Sequence, residues 1–365
     1  MALRYAMVLA AGKGTRMASE RPKPLMKLCG VSMLGHVMRA VLGVDGLERV
    51  VVVVGHQADL VERELRGSTP STAEIVTVRQ PEQRGTGDAV SAGLSRLPDL
   101  LPGVGGSGSE VVILPSDTPL VRSATLRELA KTHAQAGNAV TILTMEVPDP
   151  AGYGRIVRTA KGAVSGIVED RDLVGDEVEI REVNTGIYLF DLAVLPVAIR
   201  RLAPSNSQRE YYLTDTIGLL AQAGYQVGVM PVADAHETQG VNDLPQLVEA
   251  EEIMRERILA RHLKAGVMMV RPETITIDAE VKIGRGSTIW PNTLLLGRTR
   301  IGHSAEIGPE SSLLDTEVGD GSRLVRVDAA GAVIGASVQA GPYVSIREGA
   351  TVADYAVVEP FSLLK

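Results

Sequence analysis

Apolar positions in this chain fall into two regimes. Up to about residue 242, short unbroken apolar runs alternate with stretches of helical spacing. Tyr5–Leu9, Val50–Val54, Val111–Leu114 and Ala139–Leu143 have no polar residue on either side of the pleat except at Thr141. Runs of this kind form strands buried on both faces. Between them, Ser32–Val41, Leu60–Leu65, Gly87–Arg96 and Ser123–Ala136 read as helices. The alternation predicts an α/β domain with a mostly parallel sheet covered by helices on both faces. Gly103–Ser109 reads as a flexible loop without chemistry.

Leu244, Leu247, Val248, Met254, Ile258 and Leu259 then recur near helical spacing, predicting one amphipathic helix over 244–264. After Gly266 the period changes. Ile283, Ile289, Leu295, Ile301, Ile307 and Leu313 recur every six residues, and glycine follows Ile283, Ile301, Ile307, Val318 and Ile334. A six-residue aliphatic period is the mark of a parallel β-helix, with three short strands to each coil. The register slips near Asp315–Val318 and is expected to resume with Val338 and Val344. The expected organisation is a domain over 1–243, a connecting helix over 244–265 and a β-helix over 266–365.

Composition narrows the function. A chain of 365 residues is long for one domain, and its 45% apolar content can fill two cores. With 3% aromatics and a net charge of −7 it lacks the stacking platforms and basic footprint of a nucleic-acid reader. The single Cys29 fits a reducing compartment and reads as a small core residue. No apolar run is long enough to span a membrane. The expectation is a cytoplasmic protein with neither nucleic acid nor membrane as partner.

Candidate chemistry lies where predicted strands end, the usual place for ligands in such sheets. After the first strand comes Leu9-Ala10-Ala11-Gly12-Lys13-Gly14-Thr15-Arg16-Met17, with Pro22-Lys23 just beyond. Gly12 and Gly14 let backbone N–H groups approach phosphates, and Lys13, Arg16 and Lys23 bring cations to the same loop. Neither the Walker spacing nor the dinucleotide Gly-x-Gly-x-x-Gly is present, which argues against a nicotinamide-dependent dehydrogenase. Gln80-Pro81-Glu82-Gln83-Arg84-Gly85-Thr86 opens a helix. An amide such as Gln80 can donate and accept at a pyrimidine edge, and Gly85 lets a base lie on backbone. By itself the segment is equally a capped helix start. Asp117, in Leu114-Pro115-Ser116-Asp117, suits a hard cation such as Mg²⁺, although strand-end aspartates also simply form turns.

Taken together, AAGKGTRM…PK and the later segments resemble the bacterial N-acetylglucosamine-1-phosphate uridyltransferases. The resemblance recurs down to about residue 350. It implies a Rossmann-like nucleotidyltransferase domain followed by a short left-handed β-helix of hexapeptide repeats. It implies that UTP and a sugar 1-phosphate are the substrates, with UTP held by Leu9, Ala10, Ala11, Gly12, Gly14, Thr15 and Lys23 and the uracil by Gln80, Gly85 and Thr86. Gly154, Glu169 and Asn184 then contact the sugar, as do Tyr212 and Thr214 in Glu210–Asp215, where Tyr211 is an alternative for the pyranose face. Asn242 joins Asp117 as a Mg²⁺ ligand, and Arg16 and Lys23 are the catalytic cations. The family usually has Gly where Ser116 stands, which bears on sugar choice. The resemblance also implies a homotrimer formed through the β-helix. The later coils that carry the family's acetyltransferase residues have no counterpart here, so that activity is not expected. Competing readings are the same chemistry on another sugar or base, such as glucose 1-phosphate or dTTP, and a non-catalytic regulatory homologue.

Overall fold

A computed structural model describes residues 2–12, 14–17, 19–66, 73–98, 108–204 and 206–365. The chain divides into two compact units, Met1–Met26 with Ser32–Gln246, and Lys27–Val31 with Leu247–Lys365.

The first unit is an α/β layer structure. Its strands are β1 (Ala2–Ala10), β2 (Arg49–Val54), β3 (Glu74–Arg79), β4 (Ser109–Pro115), β5 (Val140–Glu146), β6 (Arg155–Arg158), β7 (Val164–Val168), β8 (Glu182–Asp191) and β9 (Val227–Pro231). They form one sheet with the main order β9-β5-β8-β4-β1-β2-β3. β8 runs antiparallel to β4 and β5, and every other pairing along that path is parallel. The sheet is therefore mixed but mostly parallel, as expected. The valine run shows why both faces are covered. Val50, Val52 and Val54 enter one apolar core, while Val51 and Val53 enter the core on the opposite side. Single-sided burial would have required polar residues at alternate positions.

The helices α1 (Met33–Leu42), α2 (Ala58–Arg66), α3 (Thr86–Leu94) and α4 (Ser123–Ala136) lie where the apolar spacing placed them. Their ends follow from local chemistry. Ser32 caps α1 by accepting from the Gly35 N–H at 3.0 Å, so it stands outside the helix. α4 stops at Gly137, whose φ of 64° is the left-handed conformation that ends many helices. Most of the Gly103–Ser109 loop lies outside the described residues; Ser109 itself already belongs to β4. α5 (Leu195–Arg200) and α6 (Asp215–Gln222) pack against the second core, and α7 spans Leu244–Lys264.

The second unit is a left-handed parallel β-helix with three sheets of six, six and five strands. Ile283 pairs with Ile301, Ile289 with Ile307 and Leu295 with Leu313, a repeat of 18 residues per coil. The next coils are shorter. Ile301 pairs with Val318, 17 residues on, and Leu313 with Ala329, 16 on. By Ile334–Val352 the repeat is 18 again. The register of the repeat is thus resumed by Ile334, Ala340, Ile346 and Val352 rather than by Val338 and Val344. Those two valines are buried two positions earlier, in the slot that Ser287, Thr293, Thr299, Ser311 and Ser322 fill elsewhere. The buried hydroxyls stitch coil to coil: Ser287 donates to the Gly302 carbonyl at 2.8 Å and accepts from the Ala305 N–H at 3.1 Å. An unpaired hydroxyl there would cost about 1–3 kcal/mol.

Outside the wall, a corner ladder links successive coils. Glu310 accepts from Arg326 Nε at 2.8 Å, the Arg326 guanidinium lies 5.3 Å from the Tyr343 ring centroid, and Tyr343 stacks on Phe361 at 5.3 Å. Cys29 is buried in this unit's core. Burial, then the charges of Glu251 and Asp278, push its thiol up to about 12, which leaves it unreactive. Among the described residues no helix is long and apolar enough to cross a membrane.

Candidate active site

Because β1, β3 and β4 belong to the parallel part of the sheet, the loops that follow them open on the same edge. β1 ends at Ala10 and the chain passes Ala11, Gly12 and Gly14 into a short 3-10 turn at Thr15–Met17. Lys13, a candidate from the sequence, lies outside the described residues. Gly14 has φ 60°, and a Cβ there would stand 2.5 Å from the Cβ of Lys23, so only glycine lets Lys23 lie along the loop. A Cβ on Gly12 would meet nothing within 4 Å, so the chain's own packing does not demand a bare backbone there.

Lys23 is the hub. Its ammonium donates to Asp117 Oδ2 and, at 2.9 Å, to Asn242 Oδ1. Arg16 Nη2 donates to the same Asn242 oxygen, also at 2.9 Å. Asp117 follows β4, and its carbonyl accepts from the Val241 N–H at 2.8 Å, which fixes the neighbouring Asn242. The Asn242 N–H in turn donates to Gln246 Oε1 at 2.7 Å, and Asp243 caps the Gln246 N–H at 2.9 Å. Four residues spread over more than 220 positions therefore meet at one point. Asp117 and Asn242 offer two hard oxygen donors converging on a single positive charge. Among the described residues no group of three or more His, Cys, Asp or Glu gathers. A cation held at these two oxygens must complete its shell with water and substrate oxygens, which is the habit of magnesium.

A second cluster forms around the segment after β3. Gln80 is buried and spends its amide hydrogens on the Gly85 carbonyl at 3.2 Å and Asp88 Oδ2 at 2.7 Å, leaving Oε1 to accept. Gly85 has φ 108°, and a Cβ there would stand 2.5 Å from the Tyr211 carbonyl oxygen. Thr86 Oγ1 accepts from the Leu213 N–H at 2.9 Å. Two residues that the sequence reading did not select join this cluster to the first. Gln83 Nε2 donates to the Ala11 carbonyl at 2.5 Å, and Gly55 admits that same carbonyl to 2.7 Å of where its Cβ would stand. Nothing in their local sequence marks either one, because the partner is 72 positions away for Gln83.

The third cluster brings together the remaining candidates. The Gly154 carbonyl accepts from the Asn184 N–H at 2.8 Å, and a Cβ on Gly154 would lie 3.5 Å from Glu169 Oε2. Glu169 Oε1 accepts from Thr214 Oγ1 at 2.9 Å. Burial first, then the carboxylates Asp172 and Glu169, push the Tyr212 phenol up to about 12. Tyr211 instead gives its carbonyl to Gly87 N–H at 2.7 Å. Ser116 is buried, its N–H donating to the Leu9 carbonyl at 3.0 Å.

Burial raises the Glu169 pKa above its ordinary 4.5, opposed by the Thr214 hydrogen bond. A raised folded-state pKa means that the stability it carries is complete below the unfolded value and is lost as pH rises through the folded value. Ionised Glu169 therefore costs stability at neutral pH. Glu169→Gln keeps the shape and the acceptor for Thr214, so its melting temperature should exceed wild type at pH 8. The gain should vanish below the ordinary carboxylate pKa. Melting curves at both pH values check this, and an equal gain at both would reject it.

Residues 6–178 match the model of the MobA-like NTP transferase domain. The chain is similar to the bifunctional protein GlmU of Streptomyces avermitilis, with 44% identity over 344 residues, covering 94% of this chain and 69% of that one. This chain belongs to the GlmU family. The GlmU proteins of Thermobifida fusca (45% identity, 90% of this chain and 66% of the relative) and Corynebacterium aurimucosum (41%, 96% and 70%) agree. The chain thus spans about two thirds of the length of these GlmU relatives. As a GlmU-family nucleotidyltransferase it takes a nucleotide and a sugar phosphate as substrates and uses a divalent metal. The competing non-catalytic reading is not favoured.

Proposed function

We propose that residues 1–243 form UDP-N-acetylglucosamine and pyrophosphate from UTP and N-acetylglucosamine 1-phosphate. The observation that carries this reading is the meeting of Arg16, Lys23, Asp117 and Asn242 at one point. An oxygen of the sugar phosphate attacks the α-phosphorus of UTP in line. The bond from that phosphorus to the bridging oxygen of the β-phosphate breaks, and pyrophosphate leaves. The attacking phosphate is already ionised at neutral pH, so no general base is needed. The difficulty is bringing two anions together, which makes charge neutralisation the main catalytic task.

Lys23 meets that task at the α-phosphate, where negative charge grows as the fifth bond forms. Arg16, more exposed, stabilises the departing pyrophosphate. Leu9, Ala10, Ala11, Gly12, Gly14 and Thr15 present backbone N–H groups to the phosphates, and the open space at Gly12 supports a close approach. Gln80 accepts the uracil N–H at Oε1, while Gly85 and Thr86 give the base a flat, stitched floor. Gly154, Glu169, Asn184, Tyr212 and Thr214 line the sugar side. Asp117 and Asn242 Oδ1 would hold Mg²⁺, which would supply a further positive charge to offset the substrates' negative charge. Homotrimer formation through the β-helix and a cytoplasmic location complete the reading.

The deciding experiment is pyrophosphate release with UTP across a panel of sugar 1-phosphates, with and without Mg²⁺. N-acetylglucosamine 1-phosphate should give the highest kcat/KM. Preference for glucose 1-phosphate, or turnover unaffected by chelation, would overturn the assignment.

A further inference from the structure

β8 does not run regularly past the sugar cluster. Its pairing with β5 goes from Asn184–Thr144 to Tyr188–Ile142, so Thr185, Gly186 and Ile187 together oppose only Leu143. Gly186, at φ 78°, makes the bend possible. Side chains four apart in a straight strand stand roughly 13 Å from each other. Here the bulge folds that length so that Asn184 Nδ2 donates to the Tyr188 hydroxyl at 2.7 Å. The bend is also secured from beneath, where Thr185 Oγ1 donates to the Leu143 carbonyl at 2.7 Å and accepts from the Ile187 N–H at 3.3 Å. Bulges beside active sites commonly re-aim a side chain in this way.

The Asn184 amide is held at both ends. Its Oδ1 accepts from the Gly186 N–H at 3.0 Å, and one of its two amide hydrogens is engaged by Tyr188. What it retains is a single N–H donor in one fixed orientation. Tyr188 is 3% exposed, and its ring lies tilted on Phe190 with centroids 5.9 Å apart, so the hydroxyl is anchored by the core. Burial and the nearby Glu169 charge push the phenol's pKa upward, keeping the hydroxyl neutral and able to accept.

We propose that Tyr188 is a positioning residue for sugar recognition: its buried hydroxyl locks the Asn184 amide so that one N–H faces the pocket and selects a sugar phosphate carrying an acceptor there. The inference rests on the reading of Asn184 as a sugar contact. Tyr188 touches no substrate. It acts on which sugar binds, and the nucleotide half of the site is independent of it.

Tyr188→Phe removes the hydroxyl and keeps the ring on Phe190. The KM for N-acetylglucosamine 1-phosphate should rise about tenfold, as for a lost oriented hydrogen bond, with KM for UTP and kcat unchanged. Preference over glucose 1-phosphate should narrow. In an Asn184→Ala background the same substitution should add nothing, since the group it orients is gone. An unchanged sugar-phosphate KM, an equal rise in UTP KM, or full additivity with Asn184→Ala would overturn the inference. Should Tyr188→Phe not fold, Asn184→Asp serves instead. It removes the N–H donor, and an unaltered sugar-phosphate KM there counts equally against the proposal. A wild-type protein that releases no pyrophosphate from UTP and N-acetylglucosamine 1-phosphate sinks the uridylyl reading; an active wild type with an indistinguishable Tyr188→Phe variant sinks only the role of Tyr188.

Discussion

Lys23→Ala should lower kcat by about 10²–10³-fold, the usual consequence of deleting one group that stabilises transition-state charge. Its side chain is only 12% exposed and holds Asp117 and Asn242 at once, so a purely structural role is the competing account. The two accounts differ in size and kind. A structural partner lost would shift the melting temperature by roughly 2–4 °C per kcal/mol for a unit of this length, and would leave kcat of the folded fraction intact. A catalytic cation lost leaves the fold standing while turnover collapses. Single-turnover rates on folded protein separate them, and wild-type turnover in Lys23→Ala would reject the catalytic assignment. Arg16→Ala should move in the same direction.

Asp117→Asn should have the second large effect. It keeps volume and one oxygen but removes the only full negative charge among the two oxygen donors, and also the partner of the Lys23 ammonium. The Mg²⁺ concentration for half-maximal rate should rise at least about tenfold, with turnover at saturating metal falling by about 10²-fold or more. Metal titration by calorimetry in the presence of UTP gives the same comparison without depending on turnover. An identical metal titration for the variant would show that Asp117 is not a ligand.

The layered fold was legible because burial on both faces writes itself into unbroken valine and isoleucine runs, and the prism because six-residue periodicity is hard to counterfeit. What escaped was set at longer range. Helix α1 begins one residue after its expected start because Ser32 turns its hydroxyl back on Gly35. Val338 and Val344 kept the period but stand two positions before the repeat aliphatic, a place that Ser287, Thr293 and Ser322 take in other coils and Val327 and Ala332 in others, and six-residue spacing alone does not draw that distinction. At the site, Arg16 and Lys23 could be picked out as cations beside a glycine-rich turn. Their meeting with Asn242, 226 and 219 positions away, was visible only through family resemblance. Gln83 and Gly55 act through one carbonyl oxygen of Ala11, and Tyr188 acts through the Asn184 amide. No local pattern records such partnerships.

The shortened coils have a consequence of their own. Removing one or two residues from a turn of the prism narrows its perimeter at a corner, yet Ile301–Val318 and Leu313–Ala329 still stack as parallel neighbours. Stride and circumference are therefore separable in this architecture. Loop length at the vertices can change by a residue or two, like the outer tread of a spiral stair, while the central column keeps its step.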